Sequence, residues 1–285
     1  MLAVLLRLAV NRVEVNIDLP GLTEAAYEKT ANLLSGCLSD HRIKNREAIA
    51  RAFLYALKEC PEANPSDLWH HVVYRLYCNL FPTYRVQDPQ QSWVRASGEA
   101  LEQFIEAWYS PVLEPAGIEI TALIGRTQKR KVLKAMGLGA KVGDSKLDVA
   151  LFLVGKDVQE IFGCVHVKAS LAERVTDDEP ASRAMIRRGF FSPLWTLDVK
   201  SFPPPQGDLV NRGEFGSPAS PSEKRKYVEE HGSFDNCYSA NSRTIPSTGP
   251  TKSGKRIYTL RLSEQPDQFA KDIMAQALRR LSGKK

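Results

Sequence analysis

The sequence predicts a mixed α/β fold, with a mainly helical first third and a β-containing remainder. Three observations carry this. Apolar residues recur at helical spacing through most of the first hundred positions. Short β-branched runs at 117–125, 147–154 and about 161–169 follow them. A strand-like RIYTLRL (256–262) and an amphipathic QFAKDIMAQALRRL (268–281) close the chain.

Element by element, VEVNIDL (13–19) alternates at a period of two and reads as a strand. Thr23 is the expected N-cap of the helix that follows. NREAIARAFLYALKEC (45–60) is a second helix, stopped by Pro61. NPSDLWHHVVYRLYCNL (64–80) is a third, with Ser66 as its expected N-cap, and Pro82 and Pro89 bracket a loop. SWVRASGEALEQFIEAWY (92–109) is a fourth. After the strand at 117–125, RTQKRKVLKAMG is a basic, helical connector. Residues 147–154 and 161–169 can pair as an antiparallel hairpin. ERVTDDEPAS (173–182) reads as a charged loop in which Asp177, Asp178 and Glu179 mark a helix start, where acids suit the positive end of the dipole. Residues 206–256, rich in Gly, Pro, Ser and Asn, read as long ordered loops outside the packed core. No repeat or linker divides the chain, so one domain over 1–285 is expected, with a helical part at 1–91 and a catalytic core at 92–285.

The 285 residues carry a net charge of +6, which fits a polyanionic partner. Five scattered cysteines without a CxxC pair exclude a disulfide framework or a structural zinc site. MLAVLLRLAVNR lacks a basic leader and is interrupted by Arg7, and no run is long enough to span a bilayer. A cytoplasmic protein is expected.

The chemistry centres on LDVALFLVGKDVQEIFGCVHVKAS (147–170). With a turn near residue 158, Asp148 lies opposite Lys168, at a Cβ separation of roughly 5 Å. His166 shares the lysine's face. An aspartate on a strand can hold a divalent ion through oxygen, and a neighbouring ammonium can orient water or neutralise phosphate charge. Glu99 and Glu102 share a helix face, so that helix can deliver a further carboxylate, and Gly98 would let another backbone approach it. Metal, lysine and a basic surface together point to phosphodiester hydrolysis. The competing reading of each pair is a solvated ion pair or helix face.

Gly98-x-x-x-Glu102 on a helix, Asp148 at a strand and Lys168 on its partner follow the order of the PD-(D/E)XK nuclease core, which this chain resembles. The usual acid two residues before the lysine is His166 here. NPSDLWHHVVYRLY, SWVRASGEALE, HVKASLAERVTDDEPASR, TLDVKSFPPPQGDLVNRGEFG and SEKRKYVEEHG extend the likeness, over roughly residues 45–245, to type II restriction endonucleases that cleave CCGG-centred sites. The resemblance implies a central mixed sheet flanked by helices and Mg²⁺-dependent cutting of double-stranded DNA at a palindrome containing CCGG, such as ACCGGT. It also implies 5′-phosphate ends, a homodimer on DNA and a companion DNA methyltransferase.

By that resemblance Asp148 and Glu102 hold the metal, with Glu99 as a weaker alternative, and Lys168 positions water or supports the phosphate. His166 could hydrogen-bond a metal-bound water. Glu173 and Arg174 follow the lysine as an acid–arginine pair suited to cytosine N4 and guanine O6/N7. Glu173 could instead be the displaced metal ligand, and both uses stay open. Arg95, Lys200 and Arg212 are expected to touch DNA, and Lys224, Arg225 and Lys226 to contact phosphate. Asp198 and Lys200 imitate the motif but lack a preceding carboxylate strand at hairpin distance. The competing functions are a non-catalytic DNA-binding protein on the same core, a repair nuclease, and an enzyme using Cys164 and His166.

Overall fold

A computed structural model describes residues 19–139, 142–155, 159–171, 174–200 and 210–283, with the backbone alone for 6–10, 13–17 and residue 174. The first two strands, β1 (Leu6–Val10) and β2 (Val13–Ile17), pair antiparallel. Helix α1 (Glu24–Ser39) starts at Thr23, whose side chain accepts from the Ala26 amide. Helix α2 (Asn45–Glu59) follows. The third helical stretch opens as α3 (Pro65–Asp67), widens to a π-helical turn at Leu68–Val73, and continues as α4 (Tyr74–Tyr84). Its cap is Asn64, not Ser66: the Asn64 side chain accepts from the Ser66 amide, and Pro65 takes the first helical position where no donor is needed. Pro82 lies inside α4 instead of ending it.

The long α5 (Pro89–Leu113), capped by Asp88, packs Leu101, Phe104, Ile105 and Tyr109 against the sheet. It leads to β3 (Ile118–Ala122), α6 (Arg126–Ala135), β4 (Val149–Val154) and β5 (Gln159–Lys168). Helix α7 (Arg174–Ile186) occupies the segment that the sequence reads as a charged loop. Next come β6 (Leu194–Thr196), a small ribbon of β7 (Gly216–Ser217) and β8 (Ser220–Pro221), then α8 (Glu223–Glu229), β9 (Cys237–Ser239), β10 (Ile257–Thr259) and α9 (Gln268–Ser282).

The central sheet runs β10-β9-β6-β5-β4-β3. β3, β4 and β5 are antiparallel neighbours, and β5, β6, β9 and β10 are parallel, so the sheet is mixed. Alternation along β5 divides its side chains. Val165 and Val167 join the core under α5, whereas Cys164 joins a second cluster with Leu133, Met136, Ala150, Ala181 and Met185 under α6 and α7. The first core also takes in Leu34 of α1, Phe53 of α2 and Ile273 of α9.

Residues 206–256 depart from expectation. Phe215, Val228, Phe234 and Cys237 form a third buried cluster with Ile257, and Arg225 is wholly buried among them. Its guanidinium donates to the carbonyls of Phe215, Gly216 and Ile245 and pairs with Glu229. One buried cation thus satisfies loop carbonyls that no sheet would satisfy. All five cysteines are free thiols. Among the described residues, no helix is long and apolar enough to cross a membrane.

Gly163 lets β5 approach the segment before β6. A Cβ there would stand 2.5 Å from the Phe191 carbonyl oxygen and 3.0 Å from the Phe191 Cβ. Gly163→Ala should therefore cost about 1–3 kcal/mol of stability, read as a lower denaturation midpoint. An unchanged midpoint would show that this contact relaxes freely.

Candidate active site

Asp148 sits where the chain enters β4, and its carbonyl accepts the Leu123 amide. Its Oδ2 accepts the Val167 amide at 2.8 Å and Lys168 Nζ at 3.0 Å. The two side chains meet, but not by direct apposition. The pairing Val149↔Val165, continued one step, sets Asp148 level with His166. The expected turn centre near residue 158 is displaced because Val154 pairs with Gln159, and a bulge between Leu151 and Phe152 offsets the rest of the ladder. The tip residues 156–158 lie outside the described set. The long lysine side chain spans the offset.

Lys168 makes a second ion pair, 2.6 Å from Asp178 Oδ2. His166 is completely buried, with Nε2 3.0 Å from Ser192 Oγ and Nδ1 3.7 Å from Asp178 Oδ2. Asp148, His166 and Asp178 each offer a ligand atom, all within 4.8 Å of one another. The sequence reading set Asp178 aside with Asp177 and Glu179. In the structure Asp177 is exposed while Asp178 turns inward. The signal was present: Val175, Asp178, Ala181, Ser182 and Met185 make a buried stripe at helical spacing.

Glu102 approaches from α5. Its carboxylate is nearly buried, and Oε2 has no hydrogen-bond partner among the described residues. Burial, reinforced by the nearby Asp148 charge, pushes its pKa up to about 9, against the pull of Lys129 and Lys168. For Lys168, burial favours the neutral amine, but Asp148 and Asp178 outweigh it and raise its pKa. For Asp178, burial works to raise the pKa, and His166 and Lys168 reverse this and hold it below the usual carboxylate range. An orphaned, reluctant carboxylate beside two others is an environment short of positive charge. Oxygen donors of this kind fit a hard divalent cation. Asp148 and Asp178, whose oxygens lie within 4.8 Å of each other, would hold it, with Glu102 facing the same cavity as Asp148.

Glu102, Asp148 and Lys168 line one cavity of about 470 Å³, together with Arg95, Gly98, Glu99, Lys129 and Ser170. Gly98 admits no neighbouring backbone, contrary to expectation. A Cβ there would meet nothing within 4 Å, so the glycine simply leaves room in the cavity. Glu99 is paired with Arg46 at 2.8 Å. Arg95 and Glu99 also border a neighbouring hollow of about 520 Å³.

The side chains of Glu173 and Arg174 lie outside the described residues. Lys200 is exposed, and its amide donates to Asn211 Oδ1 at 3.1 Å. Arg212 is exposed on the same loop system. The expected phosphate cluster at 224–226 loses Arg225, while Lys224 and Lys226 stay partly exposed. Lys224 pairs with Glu214, Lys226 pairs with Glu223, and Arg225 is a buried brace. The imitation motif is also accounted for. Asp198 is buried at a positive φ of 48°, accepting from the Glu214 amide and the Thr244 hydroxyl.

Burial pushes the Asp198 pKa up to about 7, against the pull of Thr244, Lys224 and Arg225. A carboxyl raised on folding favours the native state while protonated. Its contribution is complete below about pH 4 and is lost as the pH rises through about 7. Asp198→Asn should flatten the fall in melting temperature between these limits relative to the parent. Parallel pH profiles would contradict this.

Comparison with known proteins agrees with this geometry. Type II restriction enzyme AgeI of Thalassovita gelatinovora is 46% identical over 267 residues, covering 92% of this chain and 95% of the relative. This chain belongs to that family of type II restriction enzymes. The family described as BsaWI restriction endonuclease type 2 matches residues 126–266. The crystal structure of the specific restriction endonuclease AgeI–DNA complex superposes with a TM-score of 0.87 at 44% identity, covering 95% of this chain and 99% of the other. The pre-specific BsaWI–DNA complex gives a TM-score of 0.48 at 19% identity, with coverages of 90% and 94%. The mixed sheet and its flanking helices are thus a restriction-endonuclease core. Such enzymes generally use a divalent metal, and the acidic and histidine cluster could hold one.

Proposed function

We propose that this chain cuts both strands of duplex DNA at a palindrome containing CCGG, with Mg²⁺, leaving 5′-phosphate ends. The observation that carries the reading is the meeting of Asp148, Glu102 and Lys168 around one cavity, with Asp178 paired to the same lysine, in a chain of the AgeI family.

Asp148 and Asp178 would hold the metal, and Glu102 beside Asp148 would join them, since the cation's charge favours the ionised carboxylate. The ion would supply Lewis acidity at the scissile phosphate. Lys168, kept protonated by two carboxylates, places its charge beside the attacked phosphate and orients the incoming water. His166 stands behind Asp178, with its imidazole fixed by Ser192. Arg95 and Lys129 guide the strand into the cavity. Glu173 and Arg174 read the C·G pairs, and Lys200 and Arg212 touch the duplex from the loop side.

A palindrome needs one cut per strand, so two copies act on it about a two-fold axis. Each chain works as one domain over 1–285, because the first core joins helices from both ends. The enzyme acts in the cytoplasm of a cell that protects its own sites with a companion methyltransferase. The missing acid at 166 gave the non-catalytic reading its support. Asp178 supplies a carboxylate at that point, and this favours an active nuclease.

Plasmid DNA incubated with the protein and Mg²⁺ should give discrete bands whose ends map to CCGG-containing palindromes. Smearing would point to a non-specific nuclease, and retained binding without cutting to an inactive core.

A further inference from the structure

We propose that α6 is a track for the phosphate backbone of duplex DNA outside the recognised palindrome, a role that rests on the DNA-cleaving reading. In ten residues α6 carries Arg126, Lys129, Arg130, Lys131 and Lys134 and no acid. This is a poor arrangement for the helix itself. Its N-terminus opens on an arginine, against the dipole, and Arg126, Arg130 and Lys134 stand four apart as like charges on one side. Asp144 meets Arg126 at 3.5 Å and Arg130 at 3.0 Å, but one carboxylate cannot offset five cations. Lys131 and Lys134 are exposed and make no ion pair with any described residue. A polyanion laid along the helix turns this self-repulsion into binding.

The position fits that partner. Lys129 lines the catalytic cavity beside Asp148 and Lys168. Lys129 therefore ties the helix to the cavity, and the exposed cations from Arg126 to Lys134 run along its outer side. Eight residues of helix cover about 12 Å, or roughly three to four nucleotides at about 3.4 Å each. Val132, Leu133 and Met136, on the same side as Lys129, anchor the helix in the second core, so the exposed cations opposite them are held rigidly.

The test uses the full-length protein, without metal, and the double variant Lys131→Gln/Lys134→Gln on two duplexes with the same palindrome. One has flanks longer than the track, and the other is trimmed to the edge of the site. Losing two phosphate contacts lowers the salt slope by about 0.9 each, so between about 50 and 200 mM salt the parent should lose roughly twelvefold more affinity than the variant on the long duplex. On the trimmed duplex the two proteins should behave alike. Lys131→Arg/Lys134→Arg should keep the parental slope. Equal slopes on the long duplex, an equal defect on both duplexes, or a reduced slope in the arginine variant would each overturn the proposal. Failure of the underlying reading shows separately, as parental protein that cuts no defined site when metal is added.

Discussion

Asp148→Ala and Lys168→Ala should each lower the cleavage rate by roughly a thousandfold or more, about 4 kcal/mol in the barrier, while site-specific binding without metal persists. The argument rests on what each group touches. Asp148 Oδ2 is committed to the Val167 amide and to Lys168 Nζ. The hydrogen bonds that Asp148 accepts from described side chains and amides fall on Oδ2, so Oδ1 is the oxygen proposed to face the cation. On the proposed reading, removing the carboxylate deletes a metal ligand, and it frees Lys168 from one of its two anchors. Removing the ammonium leaves Asp148 and Asp178 as close, uncompensated carboxylates and the phosphate without its nearest positive charge. Single-turnover cutting on a defined duplex, with gel-shift binding beside it, checks both. Wild-type rates from either variant would place the chemistry elsewhere.

The second large effect is expected at Asp178. Asp178→Asn keeps the side-chain volume but removes the charge that faces Lys168 at 2.6 Å and the His166 imidazole at 3.7 Å. The rate should fall roughly a hundredfold or more, as for loss of a ligand or its immediate support. Half-saturation by metal should shift upward in the same assay. Glu99→Gln should cost little by comparison, since Glu99 is engaged with Arg46. Full activity in the Asp178 variant would return the missing ligand to Glu102 or to Glu173.

Much of this was legible in the residues. Strict alternation put Val165 and Val167 on one side of β5 and His166 and Lys168 on the other, and the spacing of apolar positions fixed α1, α2, α5 and α9 closely. Three things were not, each for a physical reason. Pro180 argues locally against a helix at 174–186, but the apolar stripe against the sheet outweighs it and carries Asp178 inward. The bulge at Leu151/Phe152 leaves no local mark, because β5 is buried on both faces and carries no in–out pattern to fix the register. The packing of 206–256 depends on Arg225, a residue whose charge implies the surface and whose guanidinium instead makes four hydrogen bonds to loop carbonyls and Glu229.

The parallel half of the sheet has an evolutionary consequence. Lys168, Thr196 and Ser239 end β5, β6 and β9 at the same level. The segments that leave those strands therefore emerge along a single rim, beside Lys168 and the proposed catalytic cavity. Drift in those segments could change which bases are recognised while the strand ends stay as they are. A lineage built this way can move to new target sequences without reinventing its chemistry.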